Sequence, residues 1–253
     1  MRLYLYANSE VDIDWGDETT HDTLSATSAT TLTTNPHNYV TSGDYTITIT
    51  VVSGKIRLVD SVLTYGASSY NSPNLAYKNS IKYVNIGSNV NLDNSSFNQC
   101  KSLIYITLPN SIETFGSSTF SSCYNLVSIT LPNVINSIAS YMFSECTSLA
   151  SAILPNTISS IDNSAFYHCL SLTNITIPSS ITTFGGSVFN GCYSLSNITM
   201  PNNLSVMGTA CFEGCNSLHS ITLPNSITTI ANSMFSSCIA LTDITIPNGV
   251  TSI

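Results

Sequence analysis

Apolar and polar positions from Ile81 to the end of the chain recur with a fixed interval. Read from Leu103, the unit is L-x-x-I-x-L-P-x-x-I-x-x-F-x-x-x-x-F-x-x-C, and the next unit opens at Leu126. The Phe slot runs Phe97, Phe120, Phe143, Phe166, Phe189, Phe212, Phe235, and three positions after each comes a Cys, from Cys100 to Cys238. A period of this length predicts a solenoid, in which each coil buries its apolar side only by stacking on its neighbours. Ile106 and Leu108, spaced by two, predict a short strand with alternate residues inward, which Pro109 ends because it has no N–H for a ladder. The spacings of three that follow, Ile112 to Phe115 and Phe120 to Cys123, predict turns and short helical pieces on the outer side. The first copy, from Ile81, is one residue shorter between Val90 and Leu92. Seven coils at the usual strand spacing make a body on the order of 30 to 35 Å long.

Residues 1–65 follow another rhythm. Val11, Ile13 and Trp15 alternate, as do Tyr45, Ile47, Ile49 and Val51, with a Thr/Ser-rich stretch between. This predicts an antiparallel β-sandwich. Residues 66–80, rich in Ser, Asn, Gly and Pro, read as a linker or an N-terminal cap. The expected fold class is therefore mainly β, a solenoid of 22–23-residue coils over 81–253 preceded by a β-sandwich over 1–65.

Composition narrows the functions. Only 8 % of residues are charged, the net charge is -8, and no Lys or Arg follows Lys101. Nucleic-acid binding needs a basic footprint and is excluded on this ground. No run approaches the ~18 to 20 apolar residues of a spanning helix, so membrane insertion is not expected. The opening residues are too short and too polar for a signal peptide, and the chain stops at Ile253, in the slot of Ile230, without a polar cap coil. The expectation is a segment of a longer exported protein.

One Cys per coil invites disulfide or metal chemistry. A fixed interval instead puts the thiols on one line beside the Phe and Leu slots, where parallel side chains lack the geometry for bridges, so they read as small core residues. Cys211, in the slot of Thr119 and Met142, reads the same way. His21, His37, His168 and His219 have no nucleophile or acid at a recognisable spacing, so no enzyme and no cofactor is expected. Six carboxylates, Glu10, Asp12, Asp14, Asp17, Glu18 and Asp22, leave two readings open, a calcium loop or a turn with hydrogen-bonding Asp side chains.

If Ile106 and Leu108 face inward, the slots beside them face out. They read Tyr105 and Thr107, Ser128 and Thr130, Ser151 and Ile153, Asn174 and Thr176, Asn197 and Thr199, Ser220 and Thr222, Asp243 and Thr245. This is the candidate partner-binding face, since solenoids use broad strand faces for partners. Thr also stacks well across strands, so the ladder has a purely structural reading. A sugar site is the weaker expectation here, because the face lacks aromatic platforms beyond Tyr105.

Two resemblances add to this. The Leu-x-x-Ile-x-Leu-Pro strand and the Phe-x-x-Cys-x-x-Leu closure, as in Phe120-Ser121-Ser122-Cys123-Tyr124-Asn125-Leu126, resemble the BspA-like leucine-rich repeat of bacterial and protist surface proteins. Asp14-Trp15-Gly16-Asp17 and His37-x-Tyr39-x-x-x-Gly43-x-Tyr45-x-Ile47 resemble the PKD family of immunoglobulin-like extracellular modules, with Glu18 where that family often has Gly. The resemblances imply a non-enzymatic extracellular or cell-surface protein that binds a protein or cell-surface ligand. The alternative is a structural spacer in a larger surface or fibre protein.

Overall fold

The structure is a computed structural model that describes residues 82–88 and 90–253 and, before them, six strands. These strands are β1 (Arg2–Leu5), β2 (Ser9–Asp14), β3 (Asp22–Ala26), β4 (Thr30–Thr33), β5 (Thr46–Ser53) and β6 (Ile56–Leu58). The alternating runs pair as antiparallel strands, Val11 with Val51 and Ile13 with Ile49. Trp15, Gly16, Asp17, His37, Tyr39, Gly43 and Tyr45, on which the PKD resemblance rests, lie outside the described residues, as does the segment 66–80.

Two sheets run from these strands into the coils. Strand β7 (Tyr83–Ile86) pairs in parallel with β5 on one side and with β9 (Tyr105–Thr107) on the other. Strand β8 (Val90–Leu92) pairs in parallel with β6. The shortened first copy explains β8: with one residue fewer, Val90 and Leu92 fall two apart and are both buried, as a strand requires.

Each later coil carries the predicted strand: β10 (Ser128–Thr130), β12 (Ser151–Ile153), β14 (Asn174–Thr176), β16 (Asn197–Thr199), β18 (Ser220–Thr222) and β19 (Asp243–Thr245). Pairing is parallel and in register one full repeat apart, for example Asn174 with Asn197. After every one of these strands but β10 the closing Pro accepts from the amide three positions on, as in Ile181 N–H to Pro178 O at 3.1 Å, which closes the corner. Where short helical pieces are expected, the structure has none among the described residues. A second two-residue strand forms instead, β11 (Ser137–Ile138), β13 (Ser160–Ile161), β15 (Thr183–Phe184) and β17 (Val206–Met207), stacked as one sheet. Inter-coil pairing satisfies more backbone groups than an isolated helical turn would.

The third run of the coil, around the Phe, is built of turns. Residues four apart take positive φ in every coil, for example Ser118 (58°) and Ser122 (58°), or Ser164 (56°) and His168 (56°). Such residues cost on the order of 1 kcal/mol each outside glycine. The twist turns alternate amides toward the next coil: Ser118 N–H reaches Ser140 O at 2.9 Å, Phe120 N–H reaches Met142 O at 2.9 Å and Ser122 N–H reaches Ser144 O at 2.7 Å. The pattern repeats along the stack: from two residues before each Phe to two after it, every backbone-to-backbone bond between coils has its N–H directed at the following coil, and beyond the Cys the sense reverses, as in Ser148 N–H to Tyr124 O at 3.0 Å.

Inside, Phe120, Phe143, Phe166, Phe189 and Phe212 are fully buried and stack face to face along the axis, with centroids 5.3–5.7 Å apart. The Cys123, Cys146, Cys169, Cys192, Cys215 and Cys238 thiols lie beside them and donate to the Phe carbonyl of the coil before, as Cys169 Sγ does to Phe143 O at 3.2 Å.

Candidate functional site

Strands β9, β10, β12, β14 and β18 show one alternation, a buried middle residue between two solvent-facing ones. Ile106, Ile129, Ala152, Ile175 and Ile221 are the buried residues. Tyr105, Thr107, Thr130, Ser151, Ile153, Asn174, Thr176, Asn197, Thr199, Ser220, Thr222, Asp243 and Thr245 are exposed, and Ser128 is half-buried. In-register pairing lines these slots up, with Ser128 opposite Ser151, Asn174 opposite Asn197 and Thr222 opposite Thr245. Ile153, 58 % exposed, breaks the Thr line. The Asn174 amide donates to Thr173 Oγ1 and the Asn197 amide to Ser196 Oγ, both at 3.3 Å, which orients the two carboxamides.

The face holds one aromatic that the repeat pattern hides. Tyr83 pairs with Tyr105 and stacks on it at 6.1 Å and 14°, so the N-terminal end of the ladder carries two parallel rings. Because the first copy is short, the constant period carries Tyr105 back to Lys82, and a search at that period passes over Tyr83. Asn85, opposite Thr107, continues the polar column.

The thiols have no part in this surface. Burial pushes Cys192 and Cys211 up to about 12, Cys146 and Cys215 higher still, and Cys169 well above the ordinary thiol value, so the neutral thiol is the form present. Among the described residues no three His, Cys, Asp or Glu side chains stand together as a metal site. Glu10, Asp12 and Asp14 lie on β2 and Asp22 opens β3, while Asp17 and Glu18 lie outside the described residues. No helix is long and apolar enough to cross a membrane among the described residues.

The profile of the BspA type leucine rich repeat region, six copies long, matches residues 71–196 and 136–253. The chain belongs to the BspA type leucine-rich repeat family. As a BspA type protein it is similar to the leucine-rich repeat protein TpLRR of T. pallidum, at 31% identity and a TM-score of 0.56, over 58% of this chain and 72% of that one. It is also similar to a leucine-rich repeat protein of Bacteroides ovatus, at 26% identity and a TM-score of 0.60, over 84% of this chain. It spans about half of the Bacteroides ovatus chain, 52%. The pneumococcal vaccine antigen PcpA, 15% identical with a TM-score of 0.54 over 81% of this chain and 66% of that one, shares the fold. No curated protein sequence matches the chain. Leucine-rich repeat proteins of this kind are generally protein-interaction or surface proteins, and the BspA type coil here exposes a polar ladder along its strands.

Proposed function

We propose that the chain is a non-enzymatic recognition protein, displayed outside the cell or on its surface, that binds a protein ligand through the strand face. What carries this reading is the exposed in-register ladder that ends on the Tyr83–Tyr105 stack and is interrupted by Ile153. Aromatic side chains anchor interfaces, and Thr, Ser and Asn supply adaptable hydrogen bonds around them. The family points the same way, as repeat proteins that commonly bind proteins. In this reading residues 1–65 are a PKD-like module, 66–80 a linker or cap and 81–253 the recognition solenoid.

The test is a surface-binding screen of the intact chain against extracellular proteins, followed by two variants. Tyr105→Ala with Ile153→Ala should weaken any ligand found by at least about tenfold, and changing Thr107, Thr130 and Thr176 together to Lys should abolish it. A ligand that tolerates both variants would refute the strand face. The second reading, a structural spacer, is favoured by the same ladder's lack of charge. It predicts that the triple Lys variant keeps every surface-dependent function.

A further inference from the structure

The turn run of the central coils has a chemistry that the strand face lacks. Tyr167 and His168 stack in parallel at 4.0 Å and 12°, and the Tyr193 ring lies 6.2 Å from the imidazole at 47°. Tyr193 is 46 % exposed, the most exposed of the three rings, while Tyr167 and His168 are half-buried. Two glycines make room for these rings. At Gly191 a Cβ would stand 2.0 Å from His168 Cδ2. The backbone does not itself require glycine in that slot, because Ser122, Glu145 and His168 hold φ of 58°, 60° and 56° in the equivalent places. Gly191 is therefore explained by the imidazole above it. At Gly214 a Cβ would lie 3.6 Å from Tyr193 Cε1, so a longer side chain there would cover the flank of the ring.

Oriented polar groups flank the rings. Glu213 Oε2 accepts from Asn190 Nδ2 at 3.0 Å. Glu145 Oε2 accepts from Ser122 Oγ at 3.2 Å and from the Tyr124 hydroxyl at 3.4 Å. In both carboxylates one oxygen is held by the protein, while Oε1 has no hydrogen bond among the described residues and retains its capacity to accept.

Flat rings beside fixed carboxylates and an amide match the two faces of a pyranose. Its axial C–H groups stack on the electron-rich face of an aromatic ring, and its hydroxyls donate to carboxylates and accept from amides. Charge selects among sugars. Glu145 and Glu213 flank the rings, and the last cation of the chain, Lys101, sits at the far end, 5.5 Å from the Tyr124 ring. A uronate or sulfated chain would be repelled. The five side chains are spread over four successive coils, from Glu145 to Glu213, so a chain of several sugars rather than a single one fits along the axis. A basic protein surface would also meet the carboxylates, but it would leave the ring stack and its two glycines without a purpose.

We propose that Tyr167, His168 and Tyr193, with Glu145 and Glu213, form a binding site for a neutral glycan chain on the turn run of the solenoid. The site is separate from the strand face and does not rest on that reading.

The test is titration calorimetry of the intact chain with cellohexaose, chitohexaose and mannohexaose, and with an oligogalacturonate of equal length as the anionic counterpart. Binding of at least one neutral oligosaccharide is expected, without binding of the oligogalacturonate. Tyr193→Ala should weaken it by at least about tenfold, and Tyr193→Phe should leave it unchanged. Gly214→Gln places in this slot the residue that Gln99 already supplies at φ 61°, so the fold tolerates it, and it too should weaken binding by covering the ring. Tyr105→Ala on the strand face should have no effect. The proposal is overturned if no neutral oligosaccharide binds at millimolar concentration, if the anionic chain binds as well, if Gly214→Gln binds like the parent, or if Tyr105→Ala weakens binding as much as Tyr193→Ala.

Discussion

At the scale of single residues, the thiols show most plainly how position overrides chemistry. A Cys in an unfolded chain titrates near 9.0, whereas burial pushes Cys192 and Cys211 up to about 12. Between those values the unfolded chain gives up protons that the folded chain retains. Stability is therefore fully present below pH 9 and is lost as pH rises toward 12. Each such thiol removes up to ~1.4 kcal/mol per pH unit in that window. Urea titrations at a series of alkaline pH values should show midpoints falling across it, and thiol labelling at neutral pH should modify half-buried Cys238 before any other described Cys. Ser187, held at φ 55°, gives a second handle. Ser187→Gly should raise stability and Ser187→Val lower it, each by about 1 kcal/mol, read from thermal midpoints. The Phe, Cys, Leu and Pro slots are all legible in the sequence because each has one identity repeated at one interval. The positive φ values are not, because Ser, Gln, Tyr, Glu, His and Ala occupy most of these slots and glycine only two, Gly191 and Gly214, too few to announce a recurring left-handed turn.

At the scale of the element, the strand and its closing Pro follow from an alternation of two and a missing N–H, and the sequence predicts both. The second short strand does not follow, since a two-residue element such as Ser160–Ile161 has no period of its own and exists only because Ser137–Ile138 and Thr183–Phe184 lie on either side. The cluster around His168 is hidden for a related reason. Its members occupy the variable slots, which a search for recurrence discards, and they meet only because one full coil brings the chain back to the same place. Register is what the element scale contributes to stability. Removing residues 151–173, one whole unit, should leave a folded protein with one coil fewer. Inserting a single Ala between Thr176 and Ile177 should shift Ile177 and everything to the next Phe out of register and lower the unfolding free energy by several kcal/mol, about the cost of exposing two large core side chains. Circular dichroism melts of the two variants separate these outcomes.

At the scale of the whole molecule, burial is graded along the axis. Phe120 to Phe212 are fully buried, Phe235 is half-buried, and all of Asp243–Thr245 is exposed. In a stack whose coils contact only their neighbours, local opening should follow the same gradient. Hydrogen exchange should be slowest at the Phe143 and Phe166 amides and fastest at Ser233, Phe235 and Ser237, whose amides have no acceptor among the described residues. The opposite end is covered: β5 and β6 pair with the edges of the first coil. Deleting residues 1–65 uncovers those edges and should lower the thermal midpoint and promote association on size-exclusion chromatography.

The turn run adds a handedness of another kind. Because the donors from two residues before each Phe to two after it all look one way, a cut between two coils leaves, along this segment, amides on one side and carbonyls on the other, complementary to each other and never to themselves. Two such molecules meeting end to end about a two-fold axis would set amides against amides along this segment. Translation along the axis satisfies this segment on both sides, so it favours a directional end-to-end association of the stack, like a row of magnets aligned pole to pole.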